Sequence, residues 1–419
     1  MSTLLAKQTL AFPGWQRART VSPLYTRVAR ESSDGVYRIP STVHKGANKA
    51  QFDIQLSALT LDIETLFSLD APQLDSINAS VFDWWYFDAV SDANPEDSLV
   101  VTFFSSSAAA FPFLHANQSS VLTAWIWASF TNGTVFADYA PATVATTVVT
   151  PTAQGAATGF SWAAISNNLT TKYEIVVASE KMQVQGRFTL TSRAPPHLPC
   201  GTQTERTTLE IAPHIGWVNL VPDAVGDVDM EIHGSTLKFK GSGYHDKNWS
   251  DRPFMDSVQS WYWGHGRIGA YSVVWFSYLA LNDPTNTTYV SGHVEKDGEV
   301  LVSACKSDFL TVRPIGSPGT TGGRYPPRLG DIPEGFQLQF DLGEPNGHLR
   351  VNVSMRTVVA GDGEYYMRWT GELVGELVKS ESEQPQEACA ASLRNDTSNR
   401  DKLSSLHGVG VFEQFVLVE

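Results

Sequence analysis

The residue types best suited to chemistry crowd into Gly241-Ser-Gly-Tyr-His-Asp-Lys-Asn-Trp-Ser250 and, close behind, Trp261-Tyr-Trp-Gly-His-Gly266. An imidazole stands beside a carboxylate, His245-Asp246, and next to an Asn248-Trp249 pair. A carboxylate that orients and charges an imidazole is a simple acid–base unit. Neighbours on a strand point apart, however, and a tight turn held by Asp246 and Asn248 accounts for the same residues. A second concentration, Asp83-Trp-Trp-Tyr-Phe-Asp88, brackets rings with carboxylates. On a strand, Asp83, Trp85 and Phe87 share one face, and Trp84, Tyr86 and Asp88 share the other. Each face then mixes rings with an acid, which a plain core strand avoids unless its acids sit at the solvent edge. The sharper reading is a ligand wall, with indoles for rigid apolar area and Asp83 or Tyr86 fixing one polar group.

Other chemistries find less support. His214, His233, His245 and His265, with Asp246, are the available metal ligands. No two of these histidines have the HxH or HxxxH spacing that puts imidazoles on one face, and no cysteine joins them, so no metal is expected. There is no G-x-S-x-G elbow for a nucleophilic serine and no G-K-[ST] phosphate loop. Asn117 lies beside His115 and among Phe111, Phe113, Trp125 and Trp127; it reads as a glycosylation acceptor or as an amide aimed into a cavity. The chain has 12 Trp, most of them between Trp84 and Trp275. Indole is large and rigid with one donor, so it suits a pocket for a bulky, unsaturated, mostly apolar molecule; ordinary core filling accounts for some.

The elements that must position these groups are strands. From Gln51 onward the periodic segments alternate with period two, as in Ser98–Ser105, Val121–Trp127, Tyr173–Ala178 and Met182–Thr191. A composition break at Pro222–Asp227 precedes further strands: Val228–His233, Thr236–Lys240, Tyr271–Tyr278, Phe336–Asp341, Leu349–Met355, Tyr365–Gly371 and Gly408–Val418. Lys296-Asp-Gly298 turns a hairpin. A short helical turn near Leu59–Leu69 is the only departure from strand character. Residues 1–50 show no sustained period and read as an irregular arm. The expected organisation is all-β: this arm, an N-terminal β-sandwich or barrel over 51–225, and a C-terminal β-barrel over 226–419. Arg313–Gly335, rich in Gly and Pro, is placed across a barrel mouth, and Lys379–Lys402 is a polar surface excursion. The ligand site is expected in the slot where the two domains meet.

A chain of 419 residues supports two cores, and a net charge of −14 argues against a nucleic-acid partner. No run of eighteen apolar residues is long enough to span a membrane. The three cysteines, Cys200, Cys305 and Cys389, allow one disulfide plus a thiol, or none. Eight asparagines open an N-x-S/T triplet: Asn78, Asn117, Asn132, Asn168, Asn248, Asn286, Asn352 and Asn395. Composition alone accounts for roughly two or three, so the excess points to glycosylation and a secretory route. Met1–Lys7 lacks the apolar core of a signal peptide, so the compartment stays open.

Asp83–Asp88 followed by Gly243-Tyr-His-Asp-Lys-Asn-Trp249 resembles the paired signature stretches of the carotenoid 1,2-hydratase-like, lipocalin-like superfamily. Within it, residues 75–419 look most like the fungal Diels–Alderases of polyketide and terpenoid secondary metabolism. The resemblance implies a β-rich first domain, a lipocalin-like barrel, a pocket at their junction and catalysis without metal or organic cofactor. One departure is Ser250, where the family has glycine; it creates the Asn248 triplet. A secretory member would fit an intermolecular hetero-Diels–Alder reaction. A [4+2] cycloaddition needs no nucleophile, and holding its partners in attack geometry supplies on the order of 7–11 kcal/mol in well-oriented cases.

The reading is therefore a cofactor-free pericyclase acting on a bulky apolar unsaturated small molecule. Asp83, Tyr86 and His245 are the catalytic candidates. Trp85, Asn117, Trp261, Trp263, Tyr366 and Trp369 shape the pocket. Two alternatives remain open: a hydratase or dehydratase on the same scaffold, with Asp83 or His245 carrying the proton, and a lipocalin-like carrier that binds its ligand unchanged.

Overall fold

The computed structural model describes residues 30–31, 36–46, 48–54, 68–114, 119–148, 154–157, 159–164, 171–201, 207–378 and 405–418. These build two large antiparallel sheets, a 14-stranded one and a nine-stranded one. The centre of the first sheet sets Phe82–Ser91 between Ser235–Ser250 on one side and Ser98–Ser106 on the other. Leu122–Ser129 follows beyond Ser98–Ser106. In the second sheet the last strand, Leu406–Val416, inserts between Val258–Ile268 and Tyr366–Val378. Both signature stretches, Asp83–Asp88 and Gly243–Trp249, thus lie side by side in the first sheet, each strand paired on both edges.

Alternation along these strands sorts the rings into three cores. Trp85, Phe87 and Ala89 point inside the first sheet, where they meet Trp162, Tyr173, Ile175 and Phe188. Tyr262, Trp275, Phe336 and Phe412 fill the interior of the second. The residues between, Trp84 and Tyr86 from one sheet and Trp261, Trp263 and Phe415 from the other, form a third core at the seam. Burying one indole contributes roughly 5 kcal/mol at about 25 cal/mol per Å². A seam rich in such rings holds the lobes as one body rather than as hinged domains. Gly264 shows how close the packing is: a Cβ there would lie 2.3 Å from the Trp275 ring. The bare position lets that indole lie against the strand.

A covalent link crosses the seam as well. Cys200, between the strands Val184–Ser192 and Thr207–Thr208, is disulfide-bonded to Cys305 beyond the strand Glu299–Ala304 of the second sheet. Arg267 reinforces it with an ion pair to Asp223, at 2.5 Å from Nη2 to Oδ1, and a bond to the Ala224 carbonyl at 2.7 Å.

Several expectations are corrected. Pro222–Asp227 is no linker; it lies inside the strand Ile215–Ile232, whose register shifts between Asn219 and Ala224. A bulge accommodates a proline that cannot donate to the ladder. The change of sheet comes later, between Ser250 and Val258, across the short helix Phe254–Ser257. The arm over 1–50 is not wholly irregular: Val36–Pro40 adds a strand to the first sheet beside Val144–Val148. His245-Asp246 sits in no turn but in mid-strand. The Lys296-Asp-Gly298 hairpin forms as read, with φ of 52° and 86° at Asp297 and Gly298. Tyr325, from Arg313–Gly335, packs against the core of the second sheet. The Leu59–Leu69 turn lies mostly, and Lys379–Lys402 entirely, outside the described residues.

A candidate active site at the seam

Two strand ladders supply facing walls. In the first sheet Trp84 pairs across strands with Asn248 and Phe104, and Tyr86 pairs with Asp246 and Thr102. In the second, Glu413 is flanked by Trp263 and Arg368, and Phe415 by Trp261 and Tyr366. All of these side chains line one cavity. The walls enclose a cleft of about 480 Å³, part of it open to solvent. The pocket is narrow and ring-walled.

Its polar groups form three linked sets. Asp246 accepts hydrogen bonds at Oδ2 from Trp217 Nε1 and from the Tyr244 hydroxyl, both at 2.8 Å. Trp263 Nε1 in turn donates to the Tyr244 oxygen at 3.3 Å. Glu413 accepts at Oε2 from the Tyr366 hydroxyl at 2.9 Å and from Arg368 Nη2 at 3.0 Å, and at Oε1 from Trp261 Nε1 at 3.1 Å. Behind Tyr86, whose hydroxyl donates to Asp88 at 2.7 Å, His265 Nε2 bonds the same carboxylate at 2.9 Å.

Burial decides the protonation of this site. It pushes the Asp246 carboxyl up to about 8, against the opposing pull of the Trp217 and Tyr244 hydrogen bonds; Glu413 and Asp88 add to the rise. At neutral pH Asp246 is therefore a carboxylic acid with a proton to give. Burial also raises the Tyr86, Tyr244 and Tyr366 phenols well above their ordinary value, so they stay protonated donors. A buried neutral acid facing a ring-walled cavity is equipped to protonate a bound oxygen and to shelter the positive charge that results.

Of the residues read from the sequence, the structure brings Tyr86, Trp261, Trp263 and Tyr366 to the cavity. Asp83, Trp85 and His245 fall on the opposite face of their strands, because each lies one residue from a cavity-lining neighbour. There they belong to a buried network. Lys247 Nζ reaches Asp83 Oδ1 at 2.6 Å and lies 3.4 Å from the Trp85 ring centre. His245 Nε2 meets Asp70 Oδ1 at 3.1 Å, and its Nδ1 meets the Tyr86 carbonyl at 2.9 Å. Burial raises the Asp83 carboxyl and lowers the Lys247 amine, each opposed by the other's charge. Trp369 stacks on Phe412 inside the second sheet, 6.3 Å between centroids.

Asn117 lies outside the described residues, as do Asn168 and Asn395. Asn132, Asn286 and Asn352 are exposed and Asn78 is half-buried. Asn248 is buried in the cavity wall, so that triplet is no acceptor in the folded chain. The four histidines weighed as metal ligands stay apart: His214 meets Asp251, His245 meets Asp70, His265 meets Asp88, and His233 sits in a hairpin turn.

Sequence reasoning missed Thr102, Arg368 and Glu413, and left Asp246 as a partner of its neighbour. For Asp246 a signal existed, since Tyr244, Asp246 and Asn248 alternate along one strand face. For Arg368 and Glu413 there was none, because the two residues are 45 positions apart in the chain and meet only in the sheet.

Comparison with known proteins follows the same lines. A family model described as Diels-Alderase-like matches residues 53–314. The quinolone epoxide rearrangement protein asqO of Emericella nidulans is 36% identical over 66% of this chain and 74% of its own length. The quinolone epoxide rearrangement protein penF of Penicillium thymicola is 31% identical over 81% of this chain and 92% of its own. The crystal structure of CghA with Sch210972 shares the fold, with a TM-score of 0.66 at 15% identity, covering 92% of this chain and 99% of that one.

Proposed function

The chain belongs to the Diels-Alderase-like family, and from that premise we propose that it isomerises a bulky, ring-bearing epoxide of the quinolone class, with Asp246 as the proton donor. The observation that carries this reading is the buried carboxyl of Asp246 in the wall of the ring-lined cavity, where burial pushes it up to about 8. Asp246 hands its proton to the epoxide oxygen, and the C–O bond breaks toward the carbon that best carries positive charge. The faces of Trp84, Trp261 and Trp263 stabilise that carbocation and keep water from capturing it. Loss of a proton back to the Asp246 carboxylate, with closure or migration within the substrate, completes an isomerisation that consumes nothing. No electron is transferred, so the step calls for no redox cofactor. The names of the 36% and 31% identical relatives support this choice of substrate.

The family's description favours a second reading, a [4+2] cycloaddition in the same pocket. Asp246 would then only donate a hydrogen bond to a conjugated carbonyl, while the rings held diene and dienophile together. Asp246→Asn separates the two, because an amide donates a hydrogen bond but no proton. Loss of turnover in that variant supports acid catalysis; retention within tenfold supports cycloaddition. Reaction in ¹⁸O water tests the hydratase alternative, since rearrangement takes no solvent oxygen into product. Unchanged substrate after prolonged incubation would instead indicate a carrier.

A further inference from the structure

Two polar groups in the cavity wall have no hydrogen-bond partner among the described residues, and they adjoin the same ring. Arg368 is 7% exposed, with its guanidinium over the rings of Tyr86 and Trp127 at 4.9 and 5.3 Å. Its Nε and Nη2 are committed to Glu413 Oε2, at 3.2 and 3.0 Å, while Nη1 is buried and bonds nothing. Thr102, 1% exposed, is the direct cross-strand neighbour of Tyr86, and its hydroxyl also bonds nothing. Orphaned buried donors of this kind are costly to leave unpaired, which makes a pair beside one ring informative. The Tyr86 hydroxyl donates to Asp88 and bonds neither of them.

We propose that Arg368 Nη1 and the Thr102 hydroxyl form an oxygen subsite that receives a carbonyl of the substrate, with the carbonyl-bearing ring lying against Tyr86. Glu413 already balances the guanidinium charge, so the subsite suits a neutral conjugated carbonyl, as in a cyclic amide or ketone, rather than a carboxylate. Arg368 and Thr102 thereby act in specificity: they fix which face and end of the molecule reach Asp246. The inference rests on the proposed reading of this pocket and adds the second functional group its substrate must carry.

The test compares two probes of similar shape, quinolin-2(1H)-one and 2-methylnaphthalene, by ligand-observed NMR titration of the full chain. The wild type binds the quinolinone more tightly. Thr102→Val weakens that probe by about two- to tenfold, the range for one hydrogen bond, and leaves 2-methylnaphthalene unchanged. Arg368→Met combined with Glu413→Gln, which removes the ion pair without stranding a charge, abolishes the preference. Equal affinities for the two probes in the wild type, or equal weakening of both by Thr102→Val, would overturn the subsite. Asp246→Asn tells the two proposals apart: it should keep the preference while losing turnover. A preference that persists in a protein unable to turn over any epoxide leaves the subsite standing and removes the reaction.

Discussion

Replacing Asp246 by asparagine probes the central chemistry through both rate and stability. The carboxyl rises from 3.8 to about 8 on folding, which at about 1.4 kcal/mol per pH unit is on the order of 5 kcal/mol favouring the protonated form. With the folded value above the unfolded one, the stability tied to that proton is fully present below about pH 4. It is lost progressively as pH rises through about 8. Asparagine is neutral throughout, and its amide oxygen accepts from Trp217 and Tyr244 as Oδ2 does. Asp246→Asn should therefore match the wild type in urea unfolding only below about pH 4, exceed it by about 1–2 kcal/mol near pH 5 and by several kcal/mol near pH 9. In the kinetic assay, initial rates on a quinolone epoxide from pH 5.5 to 9.5, wild-type kcat should be flat below about 7, half-maximal near 8 and fall tenfold per unit beyond. The variant should lose about 10²- to 10⁴-fold at pH 6.5, the usual range for a positioned proton donor. A wild-type rate that rises through pH 8, or a variant whose stability advantage does not grow with pH, would refute the assignment of a buried neutral acid.

Other consequences are open to direct measurement. Lys247→Met strands the Asp83 carboxylate in the core and should cost about 3–5 kcal/mol in urea unfolding; adding Asp83→Leu should restore much of it, since the pair is removed together. Trp263→Phe deletes the donor to Tyr244 and part of one cavity wall, so product ratios should shift with a melting temperature within a few degrees; unchanged products would take Trp263 out of the substrate's path. Cys200→Ser with Cys305→Ser opens a loop with a sequence separation of 105 and should cost on the order of 4–5 kcal/mol by the chain-entropy argument, visible as a lowered urea midpoint. On material expressed through a secretory host, any N-linked glycan found by peptide mass spectrometry should map to exposed triplets such as Asn132, Asn286 and Asn352 and never to Asn248, which is walled in; a glycan at Asn248 would contradict the fold of that strand.

Period-two alternation and turn chemistry were local properties, so the all-β class, the Lys296-Asp-Gly298 hairpin and the two ring-rich strands could be read from the chain alone. The face-by-face division of Asp83–Asp88 could be read as well: Trp84 and Tyr86 do share one face, Trp85 and Phe87 the other. Which face meets the second lobe could not, because a strand's alternation is symmetric until a partner covers one side. That ambiguity is why Asp83, Trp85 and His245 were expected in the pocket while Asp246, one residue along, actually faces it. Pro222 looked like a boundary because a bulge and a linker share the same residues, and only the pairing partner of the strand tells them apart.

What the sequence determined by itself was an inventory: acids beside rings on alternating strands, joined by local turns. What tertiary structure decided was protonation and adjacency. Asp246 is an acid because folding strips it of water, and Arg368 meets Tyr86 because two sheets press together across the seam. Desolvation and proximity belong to the packed molecule, and no short stretch of chain contains either.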